Sequence, residues 1–164
     1  SKELNSLAER YGYNENQIIE ISNSRKKYFN KICYFIKKNL GIGIVIDYGY
    51  LPPIKYSTLQ SVKLHRLANI LDNPGNQDIT SFVNFQDLIE IAKKNNLNIY
   101  GPINQKDFLI EKGIKERMKK IQLKASKQQK HIIEKGYERL ISKDKMGKIF
   151  KFLIVSTYKL PYEN

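Results

Sequence analysis

The sequence predicts an α/β domain organised around a parallel sheet, and three observations carry that expectation. Residues 42–49 read Ile-Gly-Ile-Val-Ile-Asp-Tyr-Gly, a β-branched run that is apolar at successive positions and ends abruptly in an acidic residue. A strand of that kind is expected to be buried on both faces, as central parallel strands are. Ahead of it, Tyr28, Phe29, Ile32, Cys33, Phe35, Ile36 and Leu40 recur at helical spacing and are followed by Gly41, so helix, glycine and strand succeed one another as in a βαβ unit. A buried strand also needs hydrogen-bonded neighbours on both sides, because unpaired backbone groups at a buried edge are costly. The other strand candidates can all lie on one side of 42–47. Its second edge is then expected to be bare, to be met by a part of the domain outside this chain or by self-association.

The elements follow in order. Residues 1–17 form a polar, weakly helical lead-in. Ile18-Ile19-Glu20-Ile21 is a short strand candidate, and Ser22 or Asn23 can cap the helix that follows. Segment 18–49 thus reads as strand, helix, strand. Residues 50–83 are expected to be irregular, punctuated by Pro52-Pro53 and Asn73-Pro74-Gly75, with a possible short strand from Thr58 to Lys63. Asn84 can cap a helix whose inner face is Phe85, Leu88, Ile89 and Ala92. Strand 97–102, a short helix around Phe108, a long polar helix or pair from Ile114 to Ile141 broken near Gly136, and a last strand from Phe150 to Thr157 complete segment 84–164.

Composition narrows the function classes. Apolar residues make up 41% of 164 residues, enough for a modest core. No apolar run approaches the roughly 20 residues of a membrane span. A single cysteine, Cys33, excludes an internal disulfide and fits a reducing, intracellular compartment. Two histidines far apart in sequence make a metal site an unpromising reading. The net charge of +13 would suit nucleic acid or an anionic surface. The lysines are scattered, however, and the densest run, 112–130, contains Glu116 and follows Glu111, as a solvated helix face does. Nucleic-acid binding therefore ranks last.

A cofactor loop is sought in vain. Nucleotide-type cofactors need a glycine-rich turn after a strand and before a helix. Gly41-Ile42-Gly43 precedes its strand, and reads as a helix stop with close packing.

An ordered set of short motifs then identifies a family. Asp47-Tyr48-Gly49, Thr58-Leu59-Gln60, His65-Arg66, Asp72-Asn73-Pro74-Gly75, Asp78-Ile79-Thr80 and Val83-Asn84-Phe85 are followed by three more. These are Gly101-Pro102-Ile103-Asn104-Gln105, Phe108-Leu109 with Gly113-Ile114 and Arg117, and Met146-Gly147-Lys148-Ile149-Phe150-Lys151. In order and spacing, over about residues 18–160, the chain resembles the MidA-type methyltransferases, whose mitochondrial member assists respiratory complex I assembly by methylating an arginine of one subunit.

The resemblance implies the C-terminal part of a Rossmann-like class I methyltransferase fold, from its fifth strand onward, with an antiparallel last strand. The N-terminal half that binds S-adenosylmethionine has no counterpart here, and neither does the family's acidic Asn-Glu-Phe-type segment. This chain alone is therefore expected to bind no cofactor and to be inactive. The partners implied are that missing half and a protein substrate bearing the arginine, in a bacterial cytoplasm or a mitochondrial matrix. A non-catalytic binding or assembly module that keeps the fold is the alternative.

Five residues are site candidates. Asp47 stands at the carboxyl end of a strand, where open α/β sheets place ligands, and a carboxylate there can hold a guanidinium bidentately. A turn aspartate bonding its own backbone is the competing reading. Asp78 and Thr80 match an Asp-x-Thr motif of the family and either line the same crevice or form an Asx turn. Tyr48 can stack on substrate, and His65, beside Arg66, can face it from the irregular segment.

Overall fold

The computed structural model describes residues 2–14 and 16–159; Ser1, Glu15 and the end of the last expected segment, 160–164, lie outside the described residues. Helix α1 (Lys2–Tyr11) leads to α2 (Asn23–Lys38) and then to strand β1 (Ile42–Tyr50). A small group of strands follows: β2 (Gln60–Lys63), β3 (Arg66–Ala68) and β4 (Asp78–Thr80). The chain returns through β5 (Val83–Asn84), α3 (Phe85–Lys94) and β6 (Asn98–Asn104). Helices α4 (Gln105–Glu111), α5 (Ile114–Gln122), α6 (Lys127–Ile141) and α7 (Met146–Ile149) precede the final strand β7 (Phe150–Ser156).

The main sheet has the order β5-β1-β7-β6, and the small one the order β3-β2-β4. Strand β7 is antiparallel to both of its neighbours, pairing Ile42 with Ser156 through Tyr48 with Phe150 on one side and Asn98 with Ser156 on the other. Strand β5 is parallel to β1 but reaches only Gly49 and Tyr50. The result is a mixed α/β architecture with a mixed sheet.

The core lies where α2 and α3 cover one face of this sheet. Phe29, Cys33 and Ile36 of α2 meet Phe85, Leu88 and Ala92 of α3 over Leu153 and Val155 of β7. Local sequence explains both helices. Ser22 caps α2 by accepting from the Arg25 backbone N–H, and Asn84 caps α3 by accepting from that of Gln86. Glu90 of α3 ties α1 down, accepting from the Tyr11 hydroxyl at 2.6 Å and pairing with Arg10 at 2.9 Å.

Several expectations are corrected. Strand β1 is not buried on both faces: Ile42, Ile44 and Ile46 are 54%, 57% and 50% exposed. The continuous apolar run codes for two covered faces, and over Ile42 to Ile46 only the α2–α3 face is covered within the described residues; on the other face the burial is confined to Phe152 and Ile154 of β7, with Phe108 stacked on Phe152. Likewise the apolar residues expected on one helix face divide. Phe29, Cys33 and Ile36 of α2 are buried, whereas Tyr28, Ile32 and Phe35 of α2, and Leu40 just beyond it, are exposed. Ile18–Ile21 is not a strand, since only Ile18 makes a single bridge, to Ile54. Segment 50–83 is not irregular but holds the small antiparallel sheet, whose strands of three or four residues lack a clear alternating signal. The long helical region breaks at residues 123–126 rather than at Gly136. Ser126 and Gln129 form a reciprocal capping box there, which starts α6 upstream of the glycine.

Cys33 is fully buried beneath α3, and burial pushes its thiol up to about 11. The thiolate is the reactive form. The folded chain is therefore expected to react with an aromatic disulfide reagent at neutral pH far more slowly than the urea-unfolded chain. Equal rates in the two states would show that α2 does not pack as described.

Candidate functional site

The carboxyl end of β1 opens on a cleft of about 520 Å³, lined among others by Gly49, Tyr50, Thr58, Phe82, Lys148 and Lys151. Its floor is set by a glycine. A Cβ on Gly49 would stand 2.3 Å from the Val83 carbonyl oxygen and 2.5 Å from the Phe85 ring, so only glycine lets β5 and α3 close on β1 at this point.

One acidic residue joins the small sheet to this cleft. Glu20 accepts the Thr58 backbone N–H at 2.7 Å and the Thr58 hydroxyl at 2.5 Å. Thr58 Oγ1 in turn accepts the Phe82 backbone N–H at 2.9 Å. Arg25 reaches the Phe82 carbonyl at 3.3 Å. The start of α2, the segment before β2 and the segment before β5 are thereby fixed to each other around a buried threonine. Nearby, the Tyr50 hydroxyl is buried with no hydrogen-bond partner among the described residues. Burial, and then the Glu20 charge, raise its pKa.

The five candidate residues fall into two groups. Asp47 and Tyr48 stand on β1. The Asp47 carboxylate accepts the Tyr48 backbone N–H at 2.8 Å. Its cross-strand neighbour is Lys151, whose ammonium turns to the Asn104 side-chain oxygen at 3.1 Å and the Lys148 carbonyl at 3.2 Å. Burial, and then the Lys148 charge, lower the Lys151 pKa. The Tyr48 ring packs edge-on between Phe82 and Phe150, with centroids 5.4 and 5.6 Å away.

The other three belong to the small sheet. His65 is exposed at the β2–β3 turn, where it and Leu64 have φ of 62° and 49°. Asp78 is exposed in β4 opposite Val62, and Thr80 is half-buried opposite Gln60. Asp78 and Thr80 are thus ladder residues rather than an Asx turn.

Sequence reasoning missed two parts of the cleft. Glu20 was hidden inside the expected strand 18–21, with no spacing to link it to Thr58. The lysine rim, Lys143, Lys145, Lys148 and Lys151, occurs over nine residues with Asp144 as the only acid. A local count of charge would have found it. Among the described residues no three His, Cys, Asp or Glu side chains gather as a metal site, and no helix is long and apolar enough to cross a membrane.

Comparison with known proteins bears on this arrangement. A family model described as putative S-adenosyl-L-methionine-dependent methyltransferase matches residues 1–103. Over 139 residues the chain is 32% identical to the mitochondrial protein arginine methyltransferase NDUFAF7 of Xenopus tropicalis, an alignment covering 84% of this chain and 32% of that protein. Over 119 residues it is 34% identical to the Drosophila melanogaster homolog, covering 72% and 27%. The chain spans about a third of the length of these curated relatives. The crystal structure of a Burkholderia thailandensis protein bound to S-adenosyl-homocysteine superposes with a TM-score of 0.81 at 22% identity, over 94% of this chain and 41% of that one. A second structure from that organism gives 0.76 at 24% identity, over 83% and 37%. These likenesses establish a methyltransferase-like fold.

The Glu20–Thr58 junction carries a stability expectation. Removing the carboxylate leaves the backbone N–H and the hydroxyl of buried Thr58 without their acceptor. Glu20→Ala should lower the urea-derived unfolding free energy by about 1–3 kcal/mol. Asp78→Ala, at an exposed position, should stay within about 0.5 kcal/mol. Comparable losses at the two sites would contradict the anchoring role.

Proposed function

The chain belongs to the family of putative S-adenosyl-L-methionine-dependent methyltransferases of the MidA type, and from that premise we propose that it is the portion of a protein-arginine methyltransferase from the fifth strand onward. In this reading it works with a cofactor-binding half supplied from outside these 164 residues. The substrate is an arginine on a subunit of a respiratory complex, and the compartment is the bacterial cytoplasm or the mitochondrial matrix. The observation that carries the reading is the one-sided pairing of β1. From Ile42 to Tyr48 it is bonded to β7, while β5 meets it only at Gly49 and Tyr50. A further parallel strand fits along the remaining edge.

S-adenosylmethionine, when bound, supplies an electrophilic methyl group. In this reading its cradle belongs to the half outside these 164 residues. In support, Gly43 is spent on the Ile36 side chain, Gly49 on Val83 and Phe85, and Gly101 on the Phe152 carbonyl. The role of this chain is accordingly to shape the substrate side. Arginine stays charged, with a pKa above about 12, and needs a carboxylate to hold and orient it. Asp47 is the best-placed carboxylate on β1, with Asp78 second, on the small sheet. Tyr48, Thr80 and His65 are assigned to the substrate side.

Two measurements test this. The chain alone should give no binding isotherm with S-adenosyl-homocysteine at millimolar ligand; a clear 1:1 isotherm would overturn the division of labour. With the cofactor-binding half restored by fusion, Asp47→Asn should slow methyl transfer at least roughly tenfold, about 1.4 kcal/mol, with cofactor affinity changed much less. Unchanged turnover would make Asp47 a backbone-bonding residue only.

A further inference from the structure

The cleft beside β1 has the wrong charge for a bare guanidinium. Four lysines, Lys143, Lys145, Lys148 and Lys151, stand on its rim and wall against the single carboxylate of Asp144. Only Lys145 has a carboxylate at ion-pair distance among the described residues, Glu138 at 3.2 Å. Lys151 is half-buried and bonded to two neutral oxygens, of Asn104 and of Lys148. A cation entering this space meets like charges, and partial burial weakens the screening that water provides. Anionic groups would be drawn to the same place, where lysine ammonium groups act as strong point-charge donors.

The cleft is also partly apolar, with Leu51, Ile54 and Ile149 among its walls. At about 520 Å³ it has room for a few residues of extended chain, whereas a nucleic-acid backbone would make no use of the aliphatic wall. We propose that this lysine-rimmed cleft takes an acidic peptide segment, with Asp and Glu side chains on the lysines and apolar ones on Leu51, Ile54 and Ile149. The proposal rests on the arginine-methyltransferase reading only for what that segment carries, an arginine flanked by acids. The peptide's own carboxylates then offset the lysines, and Asp47, beside the cleft as the cross-strand neighbour of its Lys151, is left to orient the guanidinium.

The experiment is fluorescence anisotropy on the chain alone, with no cofactor and no second half, so that failure of methyl transfer and failure of peptide binding are separate results. The probes are two labelled peptides with a central arginine, one flanked by Asp, Glu and Leu and the other by Ser, Gln and Leu. The acidic peptide should bind at least about tenfold tighter. The exposed pair Lys143→Glu/Lys148→Glu should remove at least about tenfold of that affinity, and Lys143→Gln/Lys148→Gln should do so in the same direction. A control with the same charge change on α5, Lys119→Glu/Lys120→Glu, should alter it less than about threefold. Three outcomes would overturn the proposal. They are no preference for the acidic peptide, equal losses in the cleft and α5 variants, which would mean attraction to overall charge, and full competition by a single-stranded oligonucleotide at equal concentration, which would reassign the cleft to nucleic acid.

Discussion

One constraint organises the molecule: β1 has its hydrogen bonds satisfied on one side along most of its length. Seven residues, Ile42 to Tyr48, pair with β7, and β5 pairs only with the last two, Gly49 and Tyr50. A strand edge with bare N–H and C=O groups is a template for another strand. The apolar surface is arranged in the same way. Ile42, Ile44 and Ile46 are exposed on the sheet face that carries Phe152 and Ile154, which are buried on β7 with Phe108 of α4 stacked on Phe152, while Tyr28, Ile32 and Phe35 stand exposed on α2. Scattered exposed aliphatics are ordinary in folded proteins, but a contiguous stripe beside an open strand edge marks an interaction surface. The proposed complementary half accounts for the edge and the stripe together.

The closed side of the sheet explains why the chain can nonetheless hold its shape. Leu153 and Val155 are fully buried under α2 and α3, and the glycines at 43 and 49 let those helices and β5 approach closely. The Glu20–Thr58–Phe82 chain of hydrogen bonds extends that rigidity to the small sheet. The cleft therefore has one wall from the end of β1 together with Thr58 and Phe82, and another from residues 143–151 that carries the lysines. Positioning of a substrate depends on those rigid walls more than on any single residue.

How much of this was legible in the sequence follows from range. Strands 42–49 and 150–157 were readable from their apolar runs, strand 97–102 from Leu97, Ile99 and Tyr100 after the Asn95-Asn96 helix stop, and the caps at Ser22 and Asn84 because capping is a local signal. Burial of β1 was not readable. A continuous apolar run such as Ile42 to Ile46 is the usual sign of two covered faces, whereas Ile42, Ile44 and Ile46 are at least half exposed within the described residues. The small sheet escaped notice because strands such as Asp78–Thr80 are too short to show a period. Among the candidate residues, Asp47 and Tyr48 were singled out by their place in the apolar run 42–49 and do stand on β1. The pairing of Glu20 with Thr58 spans 38 residues and is set only by the tertiary fold. The break before α6 was a missed local signal, since Ser126 and Gln129 were present to be read as a capping box.

The central claim is that the free edge of β1 is the joint with a cofactor-binding half. Residue-resolved amide hydrogen exchange of β1, with and without that half, tests it most directly. In the chain alone, the alternate amides of Ile42–Tyr48 that do not bond to β7 should exchange as open-edge groups, well ahead of the amides that do. Adding the complementary half should slow them to the level of the β7-bonded set. Edge amides already protected in the monomeric chain, or still fast in the assembled pair, would contradict the account.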